Sequence, residues 1–366
     1  MRVGSTRILI VGSHADSGFS MLNFTRGNFV AFENHSANME LHCKKPLKVF
    51  SRISLGLISK KYSVYLDKFV LFAPYLFFLV LFKQIQVVHV LDQGDAAYRF
   101  FVSAKCKFIV TVHDLFAILA SENKIPNVVT AYPGKMYQRL ISRGLERADL
   151  ALAISCTTES EVKARFPGLP TQVIYNFVDN KNFLAPAFEQ EFGTQDYFLI
   201  LMNSHWRKDR RNSIVAWKSL LKFKEFESSS LIIIGNALGK EELELISHEL
   251  LPRVSVLERL NEGEIANYYH RCIGVINISN YEGFGLPIIE ANINGRICVY
   301  GGSETLREIA GPYNIDWAQL EESKITTDLT EMILSPINRR NAYDYVQHRY
   351  SIQNYLNSIY KAYVNL

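Results

Sequence analysis

The sequence has few of the residues that mark disulfide frameworks and metal sites. Its 366 residues include five cysteines, an odd number without any CxxC pair, which favours reduced thiols in the cytoplasm over disulfides or a zinc site. The nine histidines show no HExxH spacing, and no DxD motif occurs. A net charge of +4 is too small to indicate a nucleic-acid partner. We therefore expect neither a bound metal nor a nucleic acid.

A long apolar run of the membrane-spanning kind is also absent. Residues 69–82 carry no charge, but this run falls short of the roughly 20 residues that a span needs, and Pro74 interrupts it. The surroundings are basic, because residues 41–83 contain one acid, Asp67, and eight basic residues: Lys44, Lys45, Lys48, Arg52, Lys60, Lys61, Lys68 and Lys83. Two interpretations stay open, an interfacial segment on an anionic membrane and a buried helix with solvated flanks.

The composition indicates a globular α/β protein of two domains. Hydrophobic residues make up 48% and charged residues 21% of a chain too long for one ordinary core. RILIV, near the start, is too short for a signal peptide and is typical of a first buried strand. Short apolar segments alternate with helical ones, which predicts parallel sheets. The predicted strands are 7–11, 87–91, 108–112, 150–154, 172–176, 197–202, 231–236, 254–258, 274–279 and 297–301.

The two series of strands predict two Rossmann-like domains with parallel sheets facing across a cleft. Residues 179–194 lose periodicity and are typical of a connection between domains. We expect an N-terminal, acceptor-side domain over 1–183, completed by a C-terminal helix over 347–366. The second domain, over 194–346, is expected to bind the ligand.

The stretch YEGFGLPIIE, residues 281–290, carries the strongest chemical signal. It follows the apolar strand GVINIS, and Pro287 suits the start of a helix. Gly283 and Gly285 let the backbone approach a ligand, and free amides at a helix N-terminus favour a phosphate. Glu290, expected within the first helical turn, could accept both hydroxyls of a ribose.

These residues resemble the retaining glycosyltransferases of family 4, which have the GT-B fold. The family signature is EGFGLP followed by a second acid, with seven residues between the two; Glu282 and Glu290 stand that way here. Further likeness lies in residues 111–114, 148–162, 172–179 and 303–311. The resemblance implies that Glu290 holds the donor ribose and that Glu282 meets the donor sugar. It implies further donor contacts from Gly283, Phe284, Gly285 and Leu286.

A leaving nucleoside diphosphate requires cations or a metal, and the basic loop SHWRKDRRN supplies cations. The family carries an Arg and a Lys in this loop, and the resemblance implies that Lys208 is the lysine. Arg207, Arg210 and Arg211 compete for the arginine, with Arg207 preferred. The alternative is a solvated basic loop without a ligand.

In the first domain, the segment TVHD places His113 at the end of a strand, facing the cleft. The resemblance implies that His113 touches the donor sugar, whereas the alternative is a histidine that caps local backbone. Relatives carry a glycine pair after the first strand. Here Gly12 and Gly18 are separated, and Gly18 is the better match for a donor-binding residue.

The resemblance thus predicts a metal-independent, retaining hexosyltransferase with His113, Glu282 and Lys208 as catalytic residues. The donor is a nucleotide-sugar of the GDP or UDP type, with mannose preferred. The acceptor is a growing cell-surface glycan, such as a lipopolysaccharide O-antigen, or a lipid-linked glycan. The expected location is the cytoplasm or the inner face of its membrane, reached through residues 41–83. Alternatives are a nucleotide-sugar epimerase and a catalytically silent subunit of a polysaccharide assembly complex.

Overall fold

The computed structural model describes residues 6–34, 39–53, 60–126, 128–178, 186, 188, 196–202, 205, 207–318 and 328–366. The chain forms two compact units. Unit 1 comprises Met1–Tyr175 and Ile352–Leu366, and unit 2 comprises Asn176–Ser351. The domain limits expected from the sequence stay predictions. The predicted connection, 179–194, lies outside the described residues except for Pro186 and Phe188.

Unit 1 is built on a parallel sheet of six strands in the order β2-β1-β3-β4-β5-β6. Its strands are Arg7–Val11 (β1), Glu40–Lys44 (β2), Val87–Val90 (β3), Lys107–Val112 (β4), Leu150–Ala153 (β5) and Thr171–Val173 (β6). Five of them coincide with predicted segments, and β2 was not predicted. The central strand β3 is buried along its whole length, as expected of a parallel strand covered on both faces.

Helices of unit 1 connect these strands and enclose an apolar core that includes Leu9, Val88 and Val110. The helical segments are Phe19–Asn34, Phe50–Ile53, Lys60–Leu66, a π-helical turn Asp67–Phe72, Ala73–Phe82, a 3₁₀ helix Gln93–Phe101, Phe116–Ser121, Tyr132–Glu146, Cys156–Arg165 and Ile352–Val364. The C-terminal helix belongs to this unit, since the Tyr363 hydroxyl lies 2.7 Å from Nδ1 of the buried His89 on β3.

Unit 2 holds a second parallel sheet of six strands in the order β12-β11-β10-β7-β8-β9. Its strands are Tyr197–Leu201 (β7), Ser230–Ile234 (β8), Val254–Leu257 (β9), Gly274–Ser279 (β10), Ile297–Gly302 (β11) and Ile315–Asp316 (β12). This is the strand order of the dinucleotide-binding fold, in which the direction of winding reverses between the first and fourth strands. Here those strands are β7 and β10.

Helices again flank the sheet of unit 2. They are Arg210–Leu220, Lys240–Leu245, a 3₁₀ helix Leu251–Arg253, Glu262–Arg271, Leu286–Ile293, Glu304–Ala310, a 3₁₀ helix Gly311–Tyr313, Asp328–Leu334 and Pro336–Arg349. Polar caps set several of their starts; Asp209, for example, accepts a hydrogen bond from the Asn212 amide at 3.1 Å. The two parallel sheets confirm the predicted pair of Rossmann-like α/β domains.

Candidate active site

The candidate site lies at the carboxyl end of β7 and β10, where the winding of the second sheet reverses. The two strands pair only at Gly274 with Phe198 and at Val275 with Leu199. β10 continues beside β11 as far as Ser279, so β7 and β10 separate toward their carboxyl ends. A crevice at such a reversal is the usual ligand position in open α/β sheets.

The segment that follows β7 is held against the end of β10. Lys208 forms an antiparallel bridge with Ser279, and the Asn280 amide donates to the Arg207 carbonyl at 2.9 Å. This pairing brings the Lys208 ammonium into an ion pair with the carboxylate of Glu282. Their side chains are only 19% and 10% exposed, so the pair is largely withdrawn from water. Two predicted site residues, 74 positions apart, therefore meet.

The predicted glycine turn forms the start of a helix. Gly285 caps the helix Leu286–Ile293 with a φ of 95°, a left-handed conformation that favours glycine. A Cβ there would also meet Leu306 Cδ2 at 2.6 Å. The Phe284 ring is buried, with its edge toward the Tyr350 ring at a centroid distance of 5.5 Å. The side chain of Phe284 therefore serves packing. A ligand contact from this residue would be made by its backbone amide.

The Glu290 carboxylate is held by a tyrosine that the sequence did not single out. Glu290 is the fifth residue of its helix, one position beyond the first turn in which it was expected. Its Oε2 accepts a hydrogen bond from the Tyr269 hydroxyl at 2.7 Å. Burial raises the pKa of Glu290, while the hydroxyl of Tyr269 and the charge of Lys208 oppose that rise. The Lys208 charge thus acts on both acids of the motif.

The three arginines of the basic loop differ in their contacts. Arg210 is fully buried and pairs with Glu242, with its Nε 2.6 Å from Oε1 of that residue. Arg211 is exposed and pairs with Glu241. Arg207 precedes Lys208 in the bridged segment and is half-buried. The buried ion pair commits Arg210 to the structure of unit 2, which makes Arg207 the better candidate for a phosphate contact.

Unit 2 also has a cavity of about 420 Å³ at the carboxyl ends of β7 and β8. It is lined by the ends of β7 and β8 and by the residues after β9: Leu201, Met202, Ile234, Gly235, Asn236, Glu258, Arg259 and Leu260. Glu258 accepts a hydrogen bond from the Ala237 amide at 3.0 Å. Over the described ranges, no group of three or more His, Cys, Asp or Glu side chains could hold a metal ion. The lining of the cavity combines apolar side chains with a few polar ones, as small-molecule sites do.

The predicted residues of unit 1 lie at the carboxyl end of its own sheet. The Nε2 atom of His113 lies 2.9 Å from the Leu91 carbonyl and therefore donates to it, and the ring packs edge-on against Phe24. Gly18 is exposed and its position has open space for a side chain. Gly12 is the more constrained glycine, since a Cβ would meet Thr25 Cγ2 at 2.3 Å. Roles for His113 and Gly18 in ligand binding stay predictions.

Part of the chain matches a known protein family. Residues 185–347 match the family model described as Glycosyl transferases group 1, a segment slightly shorter than half of the chain. The O-antigen chain mannosyltransferase RfbU of Salmonella typhimurium is 23% identical over 188 residues, which are 50% of this chain and 48% of that protein. The matching segment thus spans about half the length of this curated relative.

Solved structures share the fold over nearly the whole chain. Sucrose-phosphate synthase from Thermosynechococcus elongatus has a TM-score of 0.66 at 14% identity and covers 98% of both chains. The lipopolysaccharide outer core galactosyltransferase WaaB, in its apo form, has a TM-score of 0.62 at 17% identity, covering 98% of this chain and 100% of its own. A glycosyltransferase from Rickettsia africae ESF-5 also reaches 0.62, at 15% identity. These similarities confirm the GT-B fold and, with the family model, support a glycosyltransferase.

Proposed function

We propose that this protein is a retaining glycosyltransferase of family 4. It moves a hexose from a nucleotide-sugar to a growing cell-surface glycan or a lipid-linked acceptor at the inner face of the cytoplasmic membrane. One observation carries the proposal: Lys208, Glu282 and Glu290 follow the two strands at which the second sheet reverses, with the two acids in the family spacing.

The proposed donor site uses the charges and amides of this region. The Glu290 carboxylate accepts hydrogen bonds from the two ribose hydroxyls. The diphosphate lies against the amides at the N-terminus of the helix Leu286–Ile293, where the glycine turn leaves the backbone accessible. Lys208, with Arg207 beside it, supplies the positive charge that a leaving diphosphate requires. These groups make the proposed reaction independent of a metal ion.

We propose GDP as the donor nucleotide and mannose as the sugar. The cavity after β8 and β9 suits a purine base, and its Glu258 carboxylate can accept hydrogen bonds from the ring N–H and amino groups of guanine. Uracil offers a single N–H donor at its edge, so it satisfies a carboxylate less well. The mannosyltransferase name of the curated relative supports the same choice of sugar.

Retention of configuration follows from attack and departure on one face of the sugar. The acceptor oxygen forms a bond to the anomeric carbon as the bond to the diphosphate oxygen breaks. The departing phosphate takes the proton of the acceptor hydroxyl, so no separate base is needed. Glu282 orients donor hydroxyls and positions Lys208 through their ion pair. In unit 1, His113 offers its Nδ1 atom to a sugar hydroxyl, because Nε2 is engaged by Leu91.

The ribose assignment predicts a large loss of nucleotide affinity in Glu290→Ala. Two hydrogen bonds to a charged acceptor would be lost, and we expect the dissociation constant of GDP to rise about 30-fold or more. Titration calorimetry with GDP, UDP and ADP measures this and ranks the bases, with GDP expected to bind most tightly. Assaying the matching nucleotide-sugars for transfer then tests the reaction itself.

Glu304→Ala is the matched control, because Glu304 is an exposed acid of the same unit whose side chain pairs with Arg307 across the helix surface. Its affinity for GDP should equal that of the wild type. Unchanged GDP binding by Glu290→Ala would contradict the ribose assignment. If the protein interconverts free nucleotide-sugars without transferring the sugar, it is an epimerase and the proposed function is wrong. If it binds nucleotide without any turnover, a catalytically silent subunit is favoured.

A pH dependence should accompany the ribose contact. Only the ionised carboxylate of Glu290 accepts from both hydroxyls, so GDP affinity should fall as the pH drops through the raised pKa of this group. The Tyr269 hydroxyl holds that pKa down. Tyr269→Phe should therefore move the fall in affinity to higher pH while leaving binding at alkaline pH near the wild-type value. Calorimetry over a pH series measures the shift, and an unmoved midpoint would contradict the role of Tyr269.

A further inference from the structure

The three helical segments between Lys60 and Phe82 form one continuous helix of unit 1, and the second half of this helix presents an apolar outer face. Its exposed residues between 70 and 82 are Val70, Leu71, Pro74, Tyr75, Phe77, Phe78, Leu81 and Phe82. Phe82 is 77% and Phe78 53% exposed. The eight exposed residues recur as neighbouring pairs about one helical turn apart, which places them on one side of the helix. We call these eight residues the apolar face. The opposite side, with Phe72, Leu76 and Val80, packs into the core of unit 1.

Such a face departs from the pattern of helices on the surface of globular proteins. A surface helix normally turns charged and polar side chains outward, and an all-apolar helix is normally buried. Here the rings of Phe78 and Phe82 stack on one another at 6.1 Å, and Phe77 packs edge-on against Phe78. A continuous exposed apolar surface of this kind marks an interaction site.

Exposed lysines precede and follow the apolar face along the chain. Lys60 and Lys61 stand at the start of the helix and Lys83 at its end, while Lys44 and Lys45 precede it in the chain. Leu47, between these lysines in sequence, is 71% exposed. Asp67 is the single acid over residues 41–83, and it is fully buried. From outside this range, the largely buried Asp16 pairs with Lys48 and Lys60. The remaining exposed lysines keep the segment positive as well as apolar, which complements anionic headgroups lying over acyl chains.

Two buried charged residues, Asp67 and Lys68, fix the helix in unit 1. The Asp67 carboxylate accepts from the Phe50 amide at 2.7 Å and from the Ser51 hydroxyl at 2.6 Å. Burial would raise the pKa of Asp67, but these hydrogen bonds outweigh it and hold the pKa below its ordinary value. Lys68 lies 2.8 Å from Asp95. The contact of Asp67 also ties residues 49–51 of the preceding basic segment to the helix.

The same contacts argue against a membrane-spanning role. The helix Lys60–Phe82, 23 residues long, has a mean hydropathy of 1.8 in its most apolar window, enough by length and composition to cross a membrane. A span would draw Asp67 and Lys68 from their partners into hydrocarbon, at a high cost. A helix that keeps its inner face in the protein core can still insert its outer face into the interface.

We infer that the apolar face and the exposed lysines that precede and follow it seat unit 1 on an anionic lipid bilayer, with the aromatic rings at the boundary between headgroups and acyl chains. Such a seat would deepen the proposed function, because it would bring the enzyme to the bilayer that holds a lipid-linked acceptor. Only the link to this acceptor rests on the proposed function. Binding to lipid can be measured without donor or acceptor.

The test is sedimentation of the full chain with vesicles of phosphatidylglycerol and phosphatidylethanolamine, compared with vesicles of phosphatidylcholine. We expect about tenfold or greater preference for the anionic vesicles, and weaker binding as salt screens the lysines. Phe78→Ser combined with Phe82→Ser should lower partitioning about 100-fold. Ile337→Ser is the matched control, since Ile337 is 74% exposed but lies in unit 2. Wild-type thermal unfolding, followed by circular dichroism, verifies that the double variant is folded.

Equal partitioning of the wild type and the double variant, or no binding to either vesicle, would overturn the inference. A dimer in solution that the double variant dissociates, without vesicle binding, would assign the apolar face to a second copy of the chain instead. A protein that binds anionic vesicles but neither GDP, UDP nor ADP would support the lipid surface and refute the proposed function. The two proposals therefore fail separately.

Discussion

Lys208→Met is expected to lower the turnover number of sugar transfer by about 100- to 1,000-fold, the usual effect of removing one preorganised charge from a developing anion. Methionine keeps most of the length and apolar stem of lysine but removes the ammonium that pairs with Glu282. Negative charge accumulates on the diphosphate as its bond to the sugar breaks. The loss should therefore be larger in the turnover number than in the Michaelis constant for the donor. Initial rates of nucleoside diphosphate release measure both.

The contacts of Lys208 fix the position of its positive charge. Its backbone is fixed by the bridge to Ser279, and its ammonium is held by Glu282 in a place only 19% exposed. Lys208→Arg keeps the charge but changes its reach, so we expect an intermediate loss. Lys240→Met is the control, because Lys240 is 90% exposed in the same unit, and it should retain the wild-type rate. A turnover number for Lys208→Met within tenfold of the wild type would remove Lys208 from the proposed mechanism.

The strands were predictable where burial imposes a continuous apolar pattern. β1 and β10 run over RILIV and GVINIS as the sequence predicts, since both are covered on two faces. β2, with the sequence ELHCK, escaped prediction because it forms the edge of its sheet. Its ends are exposed and its middle is half-buried, so neither an apolar run nor a clear alternation marks it.

Residues of the candidate site could be proposed from the sequence where they stand in a contiguous motif or in a loop that resembles the family, as Lys208 does. The motif around Gly283 and Gly285 specifies a turn, a helix start and two acids within ten positions. Tyr269 lies on the helix Glu262–Arg271, where nothing in the sequence indicates that its hydroxyl reaches Glu290. The choice among the loop arginines was undetermined for the same reason: it depends on Glu242, 32 positions from Arg210 in the chain.

Arg210→Ala should produce a large loss of stability in unit 2. The guanidinium and the Glu242 carboxylate are 1% and 8% exposed, and Arg210 also donates to the Asn236 carbonyl at 2.7 Å. Removing one partner of a buried ion pair costs about 3–5 kcal/mol, because the other charge stays buried without compensation. For a unit of this size we expect the melting temperature of unit 2 to fall by about 10 °C. Differential scanning calorimetry measures it.

The stability that the Arg210–Glu242 pair contributes should depend on pH in a defined direction. Burial would raise the pKa of Glu242, but the hydrogen bonds from Arg210 outweigh it and hold the pKa below its ordinary value. The stabilisation from the ion pair is therefore full at neutral pH and is lost as the pH falls through that lowered pKa. Arg210→Ala and the wild type should consequently approach each other in stability at acidic pH. A difference that stays constant across the pH series would contradict the ion pair as its source.

Arg211→Ala provides the matched control, because its pair with Glu241 is 55% and 72% exposed and should contribute at most about 1 kcal/mol. Arg210→Met combined with Glu242→Leu should recover much of the lost stability, since apolar packing can replace a buried ion pair. Recovered stability with wild-type GDP affinity would show that Arg210 serves the fold and leave Arg207 as the arginine of the donor site. A stable double variant that no longer binds GDP would instead place Arg210 on the diphosphate and contradict the assignment drawn from its buried ion pair.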